Sequence, residues 1–176
     1  EFKQLRLDYI EINLSVAQCL EADLTDKIKG HLSNHDIAPT KINLEITERE
    51  SIKDYFVFDN NMKKLVDMGI SFSFVYYGTG YSNIRRIALM PLKIVKMDKA
   101  FVDEISSAKM QSIVINTIRM LKEINKEIVV EGVEDAETAR RFADLDCDYL
   151  QGYFFSRPLP ETDFIEVVKK QEVNPF

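Results

Sequence analysis

Five polar residues lie at or near the ends of successive short apolar runs of this chain, and their side chains could bind a cation or an anionic ligand. They are Asn13, Glu45, Lys96, Glu131 and Gln151. Carboxylate and amide oxygens are the donors that Mg²⁺, Mn²⁺ and Ca²⁺ prefer in proteins, and a lysine among them suits an anionic substrate or a positioned water molecule. Strand ends are often polar simply because they meet water, so each residue alone indicates a structural role. Their recurrence at corresponding points of successive strands indicates a shared site.

The apolar runs alternate with amphipathic helical patterns, which predicts an α/β fold with a parallel sheet. The runs are Tyr9–Leu14, Lys41–Thr47, Ile70–Tyr76, Leu92–Met97, Glu127–Val130 and Tyr149–Leu150. Residues two apart point to the same face of a strand, and the carboxyl ends of parallel strands form the ligand site in folds of this class. We therefore expect the polar residues to lie around one rim of the sheet.

Helical periodicity predicts the elements between the strands. The clearest amphipathic pattern runs from Met110 to Ile124, with apolar residues three and four positions apart. Further patterns cover residues 59–68, 136–145 and 161–170, and the first of these stops at Gly69, which is typical of a helix C-cap. A stripe of apolar residues predicts one more helix, and it consists of Val16, Leu20, Leu24, Ile28 and Leu32.

Composition and charge exclude several classes of protein. The chain has 176 residues, of which 45% are hydrophobic and 30% charged, so it suits a single globular domain over residues 1–176. Its net charge of −6 argues against binding a nucleic-acid polymer. No apolar run approaches the roughly eighteen residues of a membrane span. Cys19 and Cys147 are too few for a disulfide framework, which indicates reduced thiols in a cytoplasmic protein.

The number of strands predicts an incomplete barrel. An eight-stranded (β/α) barrel typically needs about 250 residues, and this chain supplies about six strands. An open sheet leaves unpaired backbone groups at its edges, which proteins usually protect. We expect a gap beside Tyr9–Leu14, covered by the N-terminal residues, by a second copy or by another chain.

Six ordered motifs resemble those of EAL domains, the bacterial phosphodiesterases and receptors of cyclic di-GMP. They are Ile12-Asn13-Leu14-Ser15 with Leu20 behind it, Glu45-Ile46-Thr47-Glu48, Gly78-Thr79-Gly80-Tyr81-Ser82, Lys96-Met97-Asp98, Glu131-Gly132-Val133-Glu134 and Gln151-Gly152-Tyr153-Phe154-Phe155-Ser156-Arg157-Pro158. The resemblance implies a TIM-like (β/α) barrel of the EAL type. The Glu-x-Leu motif that names the family is absent from residues 1–176. In the family it lies on an early strand, together with a metal-ligand Glu and a phosphate-binding Arg, so the resemblance implies a single EAL-like domain over residues 1–176 that lacks its N-terminal strand or strands.

The chain departs from the family at the loop that binds metal. Val75 and Tyr76 stand where the resemblance places two aspartates that hold a pair of metal ions. Valine has no lone pair to offer, and a phenol with a pKa near 10 is a poor ligand for a hard cation. We therefore expect no resident metal, or Mg²⁺ or Mn²⁺ if one is bound.

The resemblance also implies a role for each remaining motif residue. It assigns Asn13 and Glu45 as ligands of a first metal. The positions that hold water or substrate during catalysis in the family correspond to Lys96, Glu131 and Gln151. Further expected ligand-binding positions are Glu48, Asp98, Glu134 and Pro158.

Three functions fit these observations. The first is a catalytically degenerate, regulatory EAL-like domain that acts in bacterial signalling as a receptor for cyclic di-GMP or as a protein-interaction module. The second is an active metal-dependent cyclic di-GMP phosphodiesterase, and the third is a scaffold or homodimerisation domain without nucleotide. Val75 and Tyr76 favour the first.

The charged residues at the rim predict an internal ion pair. Glu45, Glu131 and Glu134 would crowd negative charge there, and Lys96 is the nearest expected counter-charge. We expect Lys96 to pair with Glu131 or Glu45. We also expect like-charge repulsion to raise the pKa of one of the acids.

Overall fold

The computed structural model describes residues 7–47, 52, 54–76 and 84–173. Strands and helices alternate along the chain, as the periodicity predicts. The strands are β1 (Ile10–Leu14), β2 (Ile42–Thr47), β3 (Ser71–Tyr76), β4 (Ile94–Met97), β5 (Glu127–Glu131) and β6 (Tyr149–Gln151). The helices are α1 (Val16–Cys19), α2 (Leu24–Asn34), α3 (Tyr55–Asp67), α4 (Ile84–Leu89), α5 (Lys99–Asp103), α6 (Ala108–Glu123), α7 (Ala136–Ala143) and α8 (Glu161–Val173), with a 3-10 helix at Pro39–Lys41.

All six strands are parallel and follow chain order across one sheet, β1-β2-β3-β4-β5-β6. The sheet is strongly curled. A side chain of β1 contacts one of β4 at 2.8 Å, whereas these strands would lie about 14 Å apart in a flat sheet with the usual strand spacing. The sheet is therefore an open half-barrel with helices outside, which confirms the predicted α/β class and the strand count.

The two edges of the half-barrel are β1 and β6. Leu7 packs against the second hydrophobic cluster, which is built around Ile165 and Val168 of α8. Residues 1–6 lie outside the described residues, and cover of the β1 edge by another chain stays a prediction.

Alternate residues of each strand point to opposite faces of the sheet. One face packs in the main hydrophobic core, and the other faces the inside of the half-barrel. Phe72 and Phe74 of β3 are buried in the main hydrophobic core, as is Val114 of α6. The alternate residues of the same strand, such as Ser73, face the inside of the half-barrel and meet polar side chains there.

Gly69 follows the C-terminal end of α3 and has φ of +100°, a left-handed conformation that favours glycine. This confirms the predicted helix end at Gly69.

The prediction of one helix along the stripe from Val16 to Leu32 is wrong. The segment forms two helices, α1 and α2, separated by a turn. Asn61 of α3 stabilises this break, because its side-chain amide donates to the carbonyls of Cys19 and Glu21 at 2.9 Å each. A buried amide from a distant helix thus satisfies carbonyl groups that a continuous helix would have bonded internally.

Both cysteines are free thiols, as predicted. Burial raises the pKa of Cys19 to about 11 and that of Cys147 to about 12. At neutral pH these thiols are protonated, and a protonated thiol is a weak nucleophile.

Within the part of the chain that the structure describes, no helix has the length and apolar character to cross a bilayer.

Candidate functional site

The side chain of Lys96 lies at the centre of the polar interior of the half-barrel. It projects from β4 and is 2% exposed. Its Nζ lies 2.8 Å from Oε2 of Glu11 and 2.8 Å from Oε1 of Glu131, and it also contacts a carboxylate oxygen of Glu45. An ammonium carries three N–H donors, so these three carboxylates can occupy all of them. The expected pairing of Lys96 with Glu131 or Glu45 is confirmed, since it pairs with both.

The register of the sheet explains how these residues meet. Asn13 of β1 lies beside Glu45 of β2, and Glu131 of β5 lies beside Gln151 of β6. Residues two apart on a strand share a face, so β1 presents Glu11 below Asn13 on the interior side. The closing curl of the sheet then brings Glu11, Glu45 and Glu131 to one ammonium.

Glu11 is a site residue that motif matching misses. Its Oε1 accepts hydrogen bonds from Nδ2 of Asn43 at 2.7 Å and from Oγ of Ser73 at 2.6 Å, while its Oε2 faces Lys96. Asn43 and Ser73 are both fully buried. The sequence does contain a clue to its position. Glu11 stands two residues before Asn13 on the same predicted strand, so the two side chains point to the same face.

Burial and hydrogen bonding act in opposite directions on the pKa values of the cluster. Burial alone would lower the pKa of Lys96, but its hydrogen bonds to Glu11, Glu131 and Glu45 outweigh burial and raise it. The pKa of Glu45 is raised, chiefly by burial, with Lys96 opposing. The pKa of Glu11 is lowered, because hydrogen bonds from Lys96 and Ser73 overcome its burial. One acid is thus raised as expected, but burial contributes more than like-charge repulsion.

Two other predicted site residues, Asp98 and Glu134, interact with groups other than Lys96. Asp98 caps α5, where its carboxylate accepts from the backbone N–H of Ala100 at 2.9 Å. Glu134 pairs with Lys99 on the surface, with 3.1 Å between Nζ and Oε1. Three residues of the rim are exposed, and they are Asn13, Gln151 and Pro158. Glu48 lies outside the described residues.

Two glycines shape the loops that follow β5 and β6. Gly132 has φ of +78°, and a Cβ there would lie 2.4 Å from Cγ of Lys99. A Cβ on Gly152 would lie 1.9 Å from the carbonyl oxygen of Val133. The loops are held together by backbone hydrogen bonds, including that from Val133 N–H to the Gln151 carbonyl at 3.1 Å. Only glycine permits this close approach at position 152.

Beside Lys96, where the resemblance places a metal-binding aspartate, the described residue offers no donor atom for a metal ion. Val75 is buried and lies beside Lys96 in the register of β3 and β4, and its side chain has no donor atom. Among the described residues, no group of three or more His, Cys, Asp and Glu side chains is arranged to hold a metal ion. Glu45 and Glu131 each direct an oxygen to Lys96 instead. The ammonium is thus the cation that this cluster binds.

Comparison with known proteins identifies the family. The family model of the EAL domain matches residues 1–158. The chain therefore belongs to the EAL domain family, which acts in cyclic di-GMP signalling and includes phosphodiesterases.

Two relatives illustrate the extent of the match. Signaling protein YkoW of Bacillus subtilis is 31% identical over 163 residues, which cover 92% of this chain and 20% of YkoW. The bifunctional diguanylate cyclase/cyclic di-GMP phosphodiesterase MucR of Pseudomonas aeruginosa is 30% identical over 160 residues, which cover 90% of this chain and 23% of MucR. The chain thus spans only about a fifth of the length of these relatives.

Solved structures share the fold. The EAL enzyme Bd1971, in a form bound to cAMP and cyclic di-GMP, superimposes with a TM-score of 0.86 at 29% identity, covering 92% of this chain and 43% of Bd1971. Klebsiella pneumoniae BlrP1, in a complex with manganese and cyclic di-GMP, gives a TM-score of 0.78 at 26% identity, covering 87% of this chain and 40% of BlrP1. The half-barrel is therefore part of a TIM-like EAL fold.

Proposed function

We propose that this domain is a catalytically degenerate EAL domain that binds cyclic di-GMP as a cytoplasmic receptor or regulatory module and does not hydrolyse it. The observation that carries the proposal is the pairing of Val75 with Lys96 across β3 and β4. Two-metal hydrolysis of a phosphodiester needs carboxylates that hold both ions about 3.5–4 Å apart. Val75 supplies no oxygen, and Glu45 and Glu131 are directed to an internal ammonium.

Aromatic side chains beside the rim support a role in binding a nucleotide. Tyr153, Phe154 and Phe155 follow β6 directly, and they are 55%, 44% and 53% exposed. The guanidinium of Arg157 lies 4.7 Å from the centre of the Tyr153 ring, which holds that ring in place. Exposed aromatic rings stack readily on nucleobases, so this segment could bind a guanine base.

An active phosphodiesterase is the alternative. It is favoured by the meeting of Glu45, Lys96 and Glu131 in one cluster, as the resemblance to active relatives implies. The two functions differ in whether a linear dinucleotide product appears.

Calorimetry and chromatography on the purified chain distinguish these functions. We expect saturable heat on titration with cyclic di-GMP, and no linear dinucleotide after incubation with Mg²⁺ or Mn²⁺, with MucR as the positive control for hydrolysis. Product formed at a metal-dependent rate would overturn the non-catalytic proposal. A flat titration would overturn the receptor role and favour recognition of a protein partner or a second copy.

A further inference from the structure

We infer that Glu11 is a positioning residue that holds the ammonium of Lys96 and thereby weakens the affinity of the site for an anionic phosphodiester. The inference deepens the proposed function, on which its choice of ligand rests. Glu11 belongs to none of the six motifs, and yet it contacts Lys96 as closely as Glu131 does. It would act as a built-in competitor of the phosphate group for the lysine.

The carboxylate of Glu11 is fixed before any ligand arrives. Its Oε1 accepts from two donors, Asn43 and Ser73, at 2.7 and 2.6 Å. Both donors are themselves buried on neighbouring strands. Oε2 is therefore aimed at Lys96 by groups that do not contact Lys96, and the carboxylate loses little further freedom when the ion pair forms.

Glu11 hinders the binding of an anionic ligand because it occupies one of the N–H donors of Lys96. Glu11, Glu45 and Glu131 together take all three N–H donors of the ammonium. A phosphate oxygen can bind Lys96 only if one carboxylate withdraws. The cluster also carries three negative charges against one positive charge, so an incoming phosphate meets net repulsion.

Neutralising Glu11 should free one donor and remove one negative charge. Glu11→Gln keeps the size of the side chain, and its amide oxygen can still accept from Asn43 and Ser73. The matched control is Glu21→Gln, which removes the same charge at a surface ion pair with Lys27. Glu21 lies in the turn between α1 and α2, and its carboxylate pairs with Lys27 rather than with Lys96.

Calorimetric titration of the full chain with cyclic di-GMP measures the effect. We expect Glu11→Gln to bind about tenfold tighter than the native chain, the change typical of one added charge-assisted hydrogen bond. We expect Glu21→Gln to stay within about twofold, since exposed charges act weakly. Equal or weaker binding by Glu11→Gln would overturn the inference.

A second readout needs no ligand. The ammonium protons of Lys96 should exchange slowly with water in the native chain and give an observable ¹H–¹⁵N signal. We expect that signal to weaken or vanish in Glu11→Gln, and also in Ser73→Ala, which keeps the charge of Glu11 but removes one of its supports. Unchanged exchange in a folded variant would refute the role of Glu11. A responsive Lys96 signal with no nucleotide binding by either chain would show that Glu11 holds the ammonium, but it would overturn both the receptor function and the effect of Glu11 on affinity.

Discussion

Replacing Lys96 with alanine should destabilise the fold far more than replacing a surface lysine. The change leaves Glu11, Glu45 and Glu131 facing one another without their cation. Their side chains are 26%, 13% and 22% exposed. Removing one partner of a buried ion pair typically costs about 3–5 kcal/mol. Because these carboxylates keep some contact with water, we expect a loss of about 3 kcal/mol, at the lower end of that range.

Urea unfolding at pH 7 measures this loss, with two companion variants. Lys96→Met keeps most of the aliphatic stem and removes the charge, so it should retain most of the destabilisation if charge is the cause. Lys63→Ala is the surface control, because Lys63 pairs with Asp67 on α3 with side chains 74% and 62% exposed. Such exposed pairs contribute about 0.2–1 kcal/mol.

The pH dependence of the Lys96→Ala variant provides a further check. Without the ammonium, burial and mutual repulsion raise the pKa values of Glu11, Glu45 and Glu131 above their unfolded values. The folded variant then binds protons more readily than the unfolded chain, so its stability rises as pH falls through the folded-state values. The deficit relative to the native chain should be smaller at pH 5 than at pH 7. A deficit of only a few tenths of a kcal/mol at pH 7 would refute the picture of a buried, cation-dependent cluster.

Two further predictions test the loops and a helix cap. In a urea titration, Gly152→Ala should lower the free energy of unfolding by more than about 2 kcal/mol, because the added methyl group would overlap the backbone of Val133. The control is Gly30→Ala in α2, where a Cβ meets nothing within 4 Å. This variant should raise the free energy of unfolding by about 0.5–1 kcal/mol. Asp135→Ala should lower the melting temperature at pH 7, since Asp135 caps α7 through the N–H of Thr138 at 2.7 Å. That hydrogen bond lowers the pKa of Asp135 in the folded chain. The stabilisation by this cap is therefore fully present above the pKa of Asp135 in the unfolded chain, and it is lost as pH falls through the lower pKa of the folded chain. A melting temperature of the variant equal to that of the native chain at pH 7 would contradict the cap.

Much of the fold could be predicted from local patterns. Continuous apolar runs separated by helical periods predict six parallel strands, and the structure has those strands in that order. Parity also predicts which side of each strand carries the polar residues, because side chains alternate by geometry alone. Parity and the parallel sheet place Lys96, Glu45 and Glu131 on one face, and the curl of the sheet brings them into contact.

Other features depended on contacts between residues far apart in the chain. The break between α1 and α2 arises from Asn61, about forty residues away, whose amide binds carbonyls that the local stripe would have placed inside a helix. The inclusion of Glu11 in the site required the curl of the sheet, which brings β1 next to β4 in space. Local periodicity specifies which face of an element a residue occupies, whereas only the closed packing of distant elements decides which faces meet.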